Sequence, residues 1–348
     1  MPLQRQNTKR YLHPHLFDWP ASDSINARAE LPLLDWRADR SNAVATEIVA
    51  GFEEVVATTG NVDLRLGVSI EDVEEIPSAD ETRRIQILAA EGEINEIVDV
   101  AIVAIGFGLE RRNRLGIDTP PYWEDDGLEQ TLGASPGRPQ RILVSGAGDG
   151  ALTDLLRATI RDFRHEHILT LLPEGDALQN LRGELQVIES KAKQASWIRD
   201  ARFINLQQMY GTLALTPAFL DQVRNRSRND TEVWFNFTSA GRYTLGSAIL
   251  NRFLVYVLST MGAIKPKLGS LDEKSVTRRP HGEYAITWAK TTEPQIFDRV
   301  IIRHGPPADY VAEVFPKLEV ACAPLRGKLR ELDLTSALDG ATRTYFAR

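Results

Sequence analysis

QRILVSGAGDGALTDLLRATIRDF, residues 140–163, decides how the rest of the chain is read. Ile142, Leu143 and Val144 form a short apolar run, residues 145–150 are small and glycine-rich, and Leu152, Leu155, Leu156 and Ile160 recur at helical spacing. The reading is strand, tight turn, helix. Gly146 and Gly148 match the first two glycines of the GxGxxG/A dinucleotide fingerprint, and Ala151 takes its third, close-packing position. Side chains at the first two would hold a pyrophosphate off the backbone, and the helix behind them aims unpaired N–H groups and a positive dipole end at it. Gly146, Ala147, Gly148, Asp149, Gly150 and Ala151 are therefore the candidate cofactor-binding turn. The bland alternative is a βα unit in which the glycines only tighten the bend.

Asp149 complicates the first reading, because a carboxylate inside this turn repels phosphate. The same string suits the nucleoside-binding turn of an S-adenosylmethionine-dependent methyltransferase, whose ligand carries no phosphates. The fingerprint also asks for an acid about 20 residues on, at the end of the next strand, to bind a ribose hydroxyl. Residues 167–172 (HILTLL) read as that strand, and Glu174 follows as the candidate acid.

Upstream, residues 97–106 (IVDVAIVAIG) are almost continuously apolar and end on Gly106, with Gly108 close behind. Such a run predicts a strand buried on both faces, with a loop at its carboxyl end where ligands sit in open α/β sheets. Residues 62–96 alternate in short segments that predict small antiparallel strands, and residues 43–58 predict an amphipathic helix. Near the start, YLHPHLFDWPAS reads as a well-packed loop. His13 and His15 there are candidates for hydrogen bonds to a ligand or to backbone. No carboxylate or cysteine stands at ligand spacing, so no metal site is assigned.

Downstream, helices are predicted over 177–198, 203–213, 217–226 and 245–261, and strands over 232–237, 283–288 and 297–303. Residues 304–307 (HGPP) form another strand-to-loop junction. His304 there is a candidate general base for which sequence reveals no orienting partner, and Arg303 a candidate for a phosphate or carboxylate.

Composition narrows the function classes. A length of 348 residues suffices for two domains or one large α/β unit, and 43% hydrophobic with 26% charged residues is the balance of an ordinary soluble protein. The formal charge of -7 argues against a nucleic-acid partner held through phosphates. The single cysteine, Cys322, excludes an internal disulfide and fits a reducing cytoplasm. The most apolar segment, 247–263, contains Asn251 and Arg252 and predicts a buried helix rather than a membrane span. No serine elbow, P-loop or HExxH string occurs.

The order LHPHLFDWP (12–20), LPLLDW (31–36), DVAIVAIGFGLE (99–110), YWEDD (122–126), ILVSGAGDGALTDLLR (142–157) resembles bacterial flavoprotein-like FAD/NAD(P)-binding proteins related to the pyridine-nucleotide-dependent oxidoreductases. The resemblance covers roughly residues 10–175. It implies an α/β fold, a Rossmann-like parallel sheet with helices on both faces plus small antiparallel segments, and an FAD/NAD(P)-dependent oxidoreductase-like activity with FAD and NAD or NADP as cofactors. Residues 104–108 are similar to the turn that closes the flavin-binding domain, and residues 146–151 to the glycine-rich unit that follows it. The expected division is a partial FAD-binding domain over 1–138 and a second Rossmann-like domain over 139–348, with its last strands returning to the first.

One departure stands out. Nothing in the first 40 residues has the strand, glycines and helix of the superfamily's opening FAD unit, so that unit is expected to be incomplete, through truncation or natural loss. Flavin binding is doubtful on either account, and apolar surface left bare would be covered by a homo-oligomer or another partner. A non-catalytic nucleotide-sensing module is the remaining alternative.

Overall fold

Residues 140–145 form a strand (β1, Gln140–Ser145) whose parallel neighbours come from far along the chain. The computed structural model describes residues 10–14, 27–31, 34–77, 83–90, 95–104, 112–129, 138–197, 205–238, 242–288, 293–305 and 310–331. After β1 come helix α1 (Asp149–Thr159), helix α2 (Gly175–Trp197), helix α3 (Pro217–Arg226), strand β2 (Thr231–Phe237), helix α4 (Ile249–Thr260), strand β3 (Ile264–Leu268) and strand β4 (Arg299–Ile302). The sheet order is β3-β2-β1-β4 with all neighbours parallel. Chain direction across the sheet therefore reverses beside β1, between β1 and β4, which is the switch point where open α/β sheets hold ligands.

Period-two alternation sorts the strand side chains onto two faces. Ile142, Val144, Val233, Phe235, Phe237 and Ile301 join one apolar core with Leu152, Leu155 and Leu156 of α1, Leu185 and Ile188 of α2, Val223 of α3, and Phe253, Leu254 and Val257 of α4. Each fully buried leucine or phenylalanine contributes on the order of 2 kcal/mol. Leu143, Val300 and Ile302 point the other way, into a second core with Ile117, Ile286, Trp288 and Phe297. That face is covered by β structure, the antiparallel strands Val276–Arg278, Tyr284–Ile286 and Gln295–Phe297 and the hairpin strand Ile117–Asp118. The fold class is thus mixed α/β around a four-stranded parallel sheet with small antiparallel sheets. Helices α1 to α4 pack on the face that carries Ile142 and Val144.

Helix α4 is buried along its length. Two of its polar residues, Asn251 and Arg252, are paired: Arg252 Nη2 meets Glu189 Oε2 at 2.6 Å, and Asn251 bonds to the glycine turn described below. No helix among the described residues is long and apolar enough to cross a membrane.

The chain divides into two units that interleave in sequence, Met1–Ala57 with Arg111–Gly305 and Thr58–Glu110 with Pro306–Arg348, where the sequence reading placed one boundary at 138/139. The parallel sheet belongs to the first. In the second, strands Ile70–Pro77, Arg83–Ala89 and Asn95–Val98 form the antiparallel sheet expected over 62–96, and Lys317 of the helix Pro316–Glu331 donates its backbone N–H to Asp72 Oδ2 at 3.1 Å.

Two expectations are corrected. The apolar run 97–106 is described to residue 104, and over that part it is not a buried parallel strand: strand structure ends at Val98, its partner is antiparallel, and Val100 and Ile102 are 73% and 87% exposed. Residues 167–172 are not a strand either. His165–Leu171 is a 3₁₀ helix that buries Ile168 and Leu171, a spacing of three that fits three residues per turn.

Candidate functional site

The turn between β1 and α1 lies at the carboxyl end of the sheet. Gly146 has φ +135°, and a Cβ there would come within 2.8 Å of the Arg303 carbonyl carbon and closer still to its oxygen. Its glycine is required by backbone crossing backbone. Gly148 differs: it is exposed, has φ −78°, caps α1 without any side-chain hydrogen bond, and would meet nothing within 4 Å if given a Cβ. Ala151 is fully buried in the first core, the close-packing role the fingerprint gives its third small residue. Gly150 is covered from one side, because its Cβ would lie 3.1 Å from the Tyr122 ring.

Asp149 is turned away from the open side. Its Oδ1 accepts from Ala248 N at 3.0 Å and Asn251 Nδ2 at 2.8 Å, at the start of α4. Asn251 Oδ1 in turn meets His165 Nε2 at 2.9 Å. Burial lowers the His165 pKa below the usual histidine value. The carboxylate thus serves the junction of two helices. Ala147 supports the same junction by accepting from Ser247 Oγ at 3.3 Å.

Behind the turn, α1 presents Asp154 and Arg157 to a buried ionic cluster. Asp154 accepts from Arg157 Nη1 at 2.7 Å and Arg303 Nε at 2.8 Å, with Arg10 at 3.5 Å. Asp126 accepts from Arg157 Nη2 at 2.6 Å, and Glu129 from Arg157 Nε at 2.6 Å. Burial alone would raise the pKa of both aspartates, but the surrounding arginines outweigh it and hold both below the usual carboxylate range. Arg10 lies over the Tyr122 ring, 4.1 Å from its centroid. Asp125, Asp126 and Glu129 converge as metal ligands would, but Arg157 already occupies two of them.

At the rim of the sheet, Ser145 Oγ lies 2.6 Å from Asn236 Oδ1 and 2.8 Å from His304 Nε2. Strand register brings them together, since Ser145 is paired with Asn236 on one side and Ile302 on the other, and His304 follows two residues later. Burial, then the charge of Arg114, lowers the His304 pKa below the usual histidine value.

No protein-family model and no curated protein matches this chain. Among solved structures it is similar to the lysine monooxygenase NbtG from Nocardia farcinica, described with an unprecedented NADPH domain conformation, at 11% identity and TM-score 0.34, covering 82% of this chain and 59% of NbtG. It is also similar to the ornithine hydroxylase PvdA from Pseudomonas aeruginosa, at 14% identity and TM-score 0.25, covering 80% of this chain and 62% of PvdA. The chain thus spans about three fifths of each of these proteins. Both scores are below 0.5, and the fold and site rest on the topology and contacts above.

The remaining sequence candidates scatter. Glu174 is exposed just before α2 and follows no strand. His13 is half-buried beside the short strand Tyr11–Leu12. His15, Gly106 and Gly108 lie outside the described residues. Arg303 faces Asp154 and Pro120 O. Sequence reasoning missed the roles of Ser145, Asn236, Tyr122 and Asp154. Asp154 and Arg157 left a trace, as charged residues three apart on a helix otherwise read as apolar; Asn236 left none.

Proposed function

We propose that the chain is an oxidoreductase-type nucleotide-binding protein whose 146–151 turn receives the phosphates of NADP or NAD. The observation that carries this reading is Gly148: open space above its Cα, no side chain capping α1, and a position at the carboxyl end of β1 beside the switch point. The first-turn amides of α1 would hold the phosphate oxygens, and the nicotinamide supplies hydride chemistry when bound. Asp149, the residue that argued against phosphate, is committed to Ala248 and Asn251, which turns its carboxylate towards α4 and weakens the objection. The same commitment takes away the support for the methyltransferase reading. Tyr122 beside Gly150 narrows the turn on one side, so the fit is to a phosphate over Gly148 rather than over the whole turn. FAD is kept as a second ligand to test, since one strand–glycine turn–helix unit of this kind occurs among the described residues.

Isothermal calorimetry of the full chain with NADPH, NADH, FAD and S-adenosylmethionine in separate titrations tests this. Binding of a pyridine nucleotide, lost in Gly148→Asp, is the expected result. Heat only with S-adenosylmethionine, or none with any ligand at millimolar concentration, overturns it. Binding without turnover of any electron acceptor would assign the nucleotide-sensing role instead.

A further inference from the structure

We infer that His304 is a hydrogen-bond and proton acceptor at the strand-end site, held by Ser145 and Asn236 so that its acid–base exchange takes place at Nδ1 alone. The assignment follows from donors and acceptors. Asn236 Nδ2 lies 3.1 Å from Lys267 O and 2.8 Å from Gly269 O. Carbonyl oxygens only accept, so a flipped amide would set three oxygens against one another. Oδ1 therefore faces Ser145 Oγ at 2.6 Å and takes the single hydroxyl proton. Only lone pairs of Oγ remain for His304 Nε2 at 2.8 Å, so Nε2 carries a hydrogen. The opposite tautomer, protonated at Nδ1 alone, would put two lone pairs face to face.

A consequence follows for proton transfer. The neutral ring with Nε2–H and the doubly protonated ring both satisfy Ser145, so His304 gains or loses a proton at Nδ1 while the relay stays as it is. Ser145 is by the same count no nucleophile: its proton is held by an amide oxygen rather than a base, and the residue is 1% exposed. Among the described residues, the groups around the ring are Ser145 from β1, Asn236 from β2 and Arg114 from the strand Asn113–Arg114; Arg303, next in sequence, is turned to Asp154. Burial and Arg114 favour the neutral ring, whose Nδ1 lone pair can accept from a donor. Since His304 follows β4 at the switch point, and on the reading that a nucleotide binds there, the donor is a hydroxyl or amide N–H of that nucleotide.

The test is long-range 1H–15N correlation NMR of the full chain labelled in its imidazole nitrogens, with His304 assigned by His304→Gln. The expected spectrum shows an Nε2–H ring at high pH whose Nδ1 resonance carries the titration, and loss of that tautomer preference in Ser145→Ala. A serine with only a packing role would leave the tautomer unchanged. An Nδ1–H ring, or an even mixture, in the unaltered protein overturns the inference. NADPH and FAD are then added separately. A shift at His304 Nδ1 with one of them identifies the donor; calorimetric binding with no shift at His304 overturns the ligand contact. If neither nucleotide binds, the functional reading fails, and the tautomer spectrum still decides the relay.

Discussion

The carbonyl of Arg303 lies where a Cβ on Gly146 would have to go. The first glycine of the fingerprint is therefore fixed by the neighbouring parallel strand, whose chain exits over the turn, as well as by φ +135°. Gly146→Ala is expected to destabilise the protein by on the order of 3 kcal/mol or more, combining backbone strain with the clash. Urea unfolding would show it, and a loss under about 1 kcal/mol would contradict the contact.

Gly148 gives the opposite result. Nothing crowds it and its φ is ordinary, so Gly148→Ala should change stability by less than about 1 kcal/mol. Gly148→Asp should likewise fold, since aspartate is a good helix N-cap. Its charge at the phosphate position should weaken NADPH binding tenfold or more, equivalent to at least about 1.4 kcal/mol. Equal affinity in the two proteins would detach the turn from nucleotide binding.

Asp149→Ala tests the opposite side of the turn. It leaves Ala248 N and Asn251 Nδ2 without their carboxylate acceptor, at an expected cost of about 1–3 kcal/mol. Thermal unfolding reads this. A stabilised variant would mean that the carboxylate is a liability retained for a ligand.

The arginine-rich cluster sets the acid response. Asp126 and Asp154 have folded pKa values below the usual carboxylate range, so they contribute stability that is fully present above the unfolded value of about 3.9 and is lost as pH falls towards their folded values. Stability measured from pH 6 down to pH 2 should fall through this window. Asp126→Asn should lower stability at pH 7 by about 3–5 kcal/mol, because it leaves Arg157 buried with one carboxylate fewer, and should flatten the acid limb. An unchanged acid limb in that variant would assign the sensitivity to other groups.

The strand, turn and first helix were legible in residues 140–163 because their signals are local: a three-residue apolar run, glycines at fixed offsets, leucines at helical spacing. The strand at Thr231–Phe237 and the buried helix at Ile249–Thr260 were legible for the same reason. The run 97–106 misled because apolar composition predicts what would be buried, and Val100 and Ile102 find no cover. The meander opposite the helices was invisible as a layer, since its short strands say nothing of the face they will cover. The site was legible only at its glycines. Asp149 finds its partners about 100 residues away, and Ser145 meets Asn236 and His304 across 91 and 159 residues. Sheet order creates such neighbours, and sequence spacing does not display it.

Every residue from Ala151 to Thr159 of α1 is buried. Its amides should therefore be among the last in the protein to exchange with deuterium, opening only when the whole sheet unit opens. A phosphate landing on Gly148 would therefore meet an anchored wall rather than a surface that yields to it.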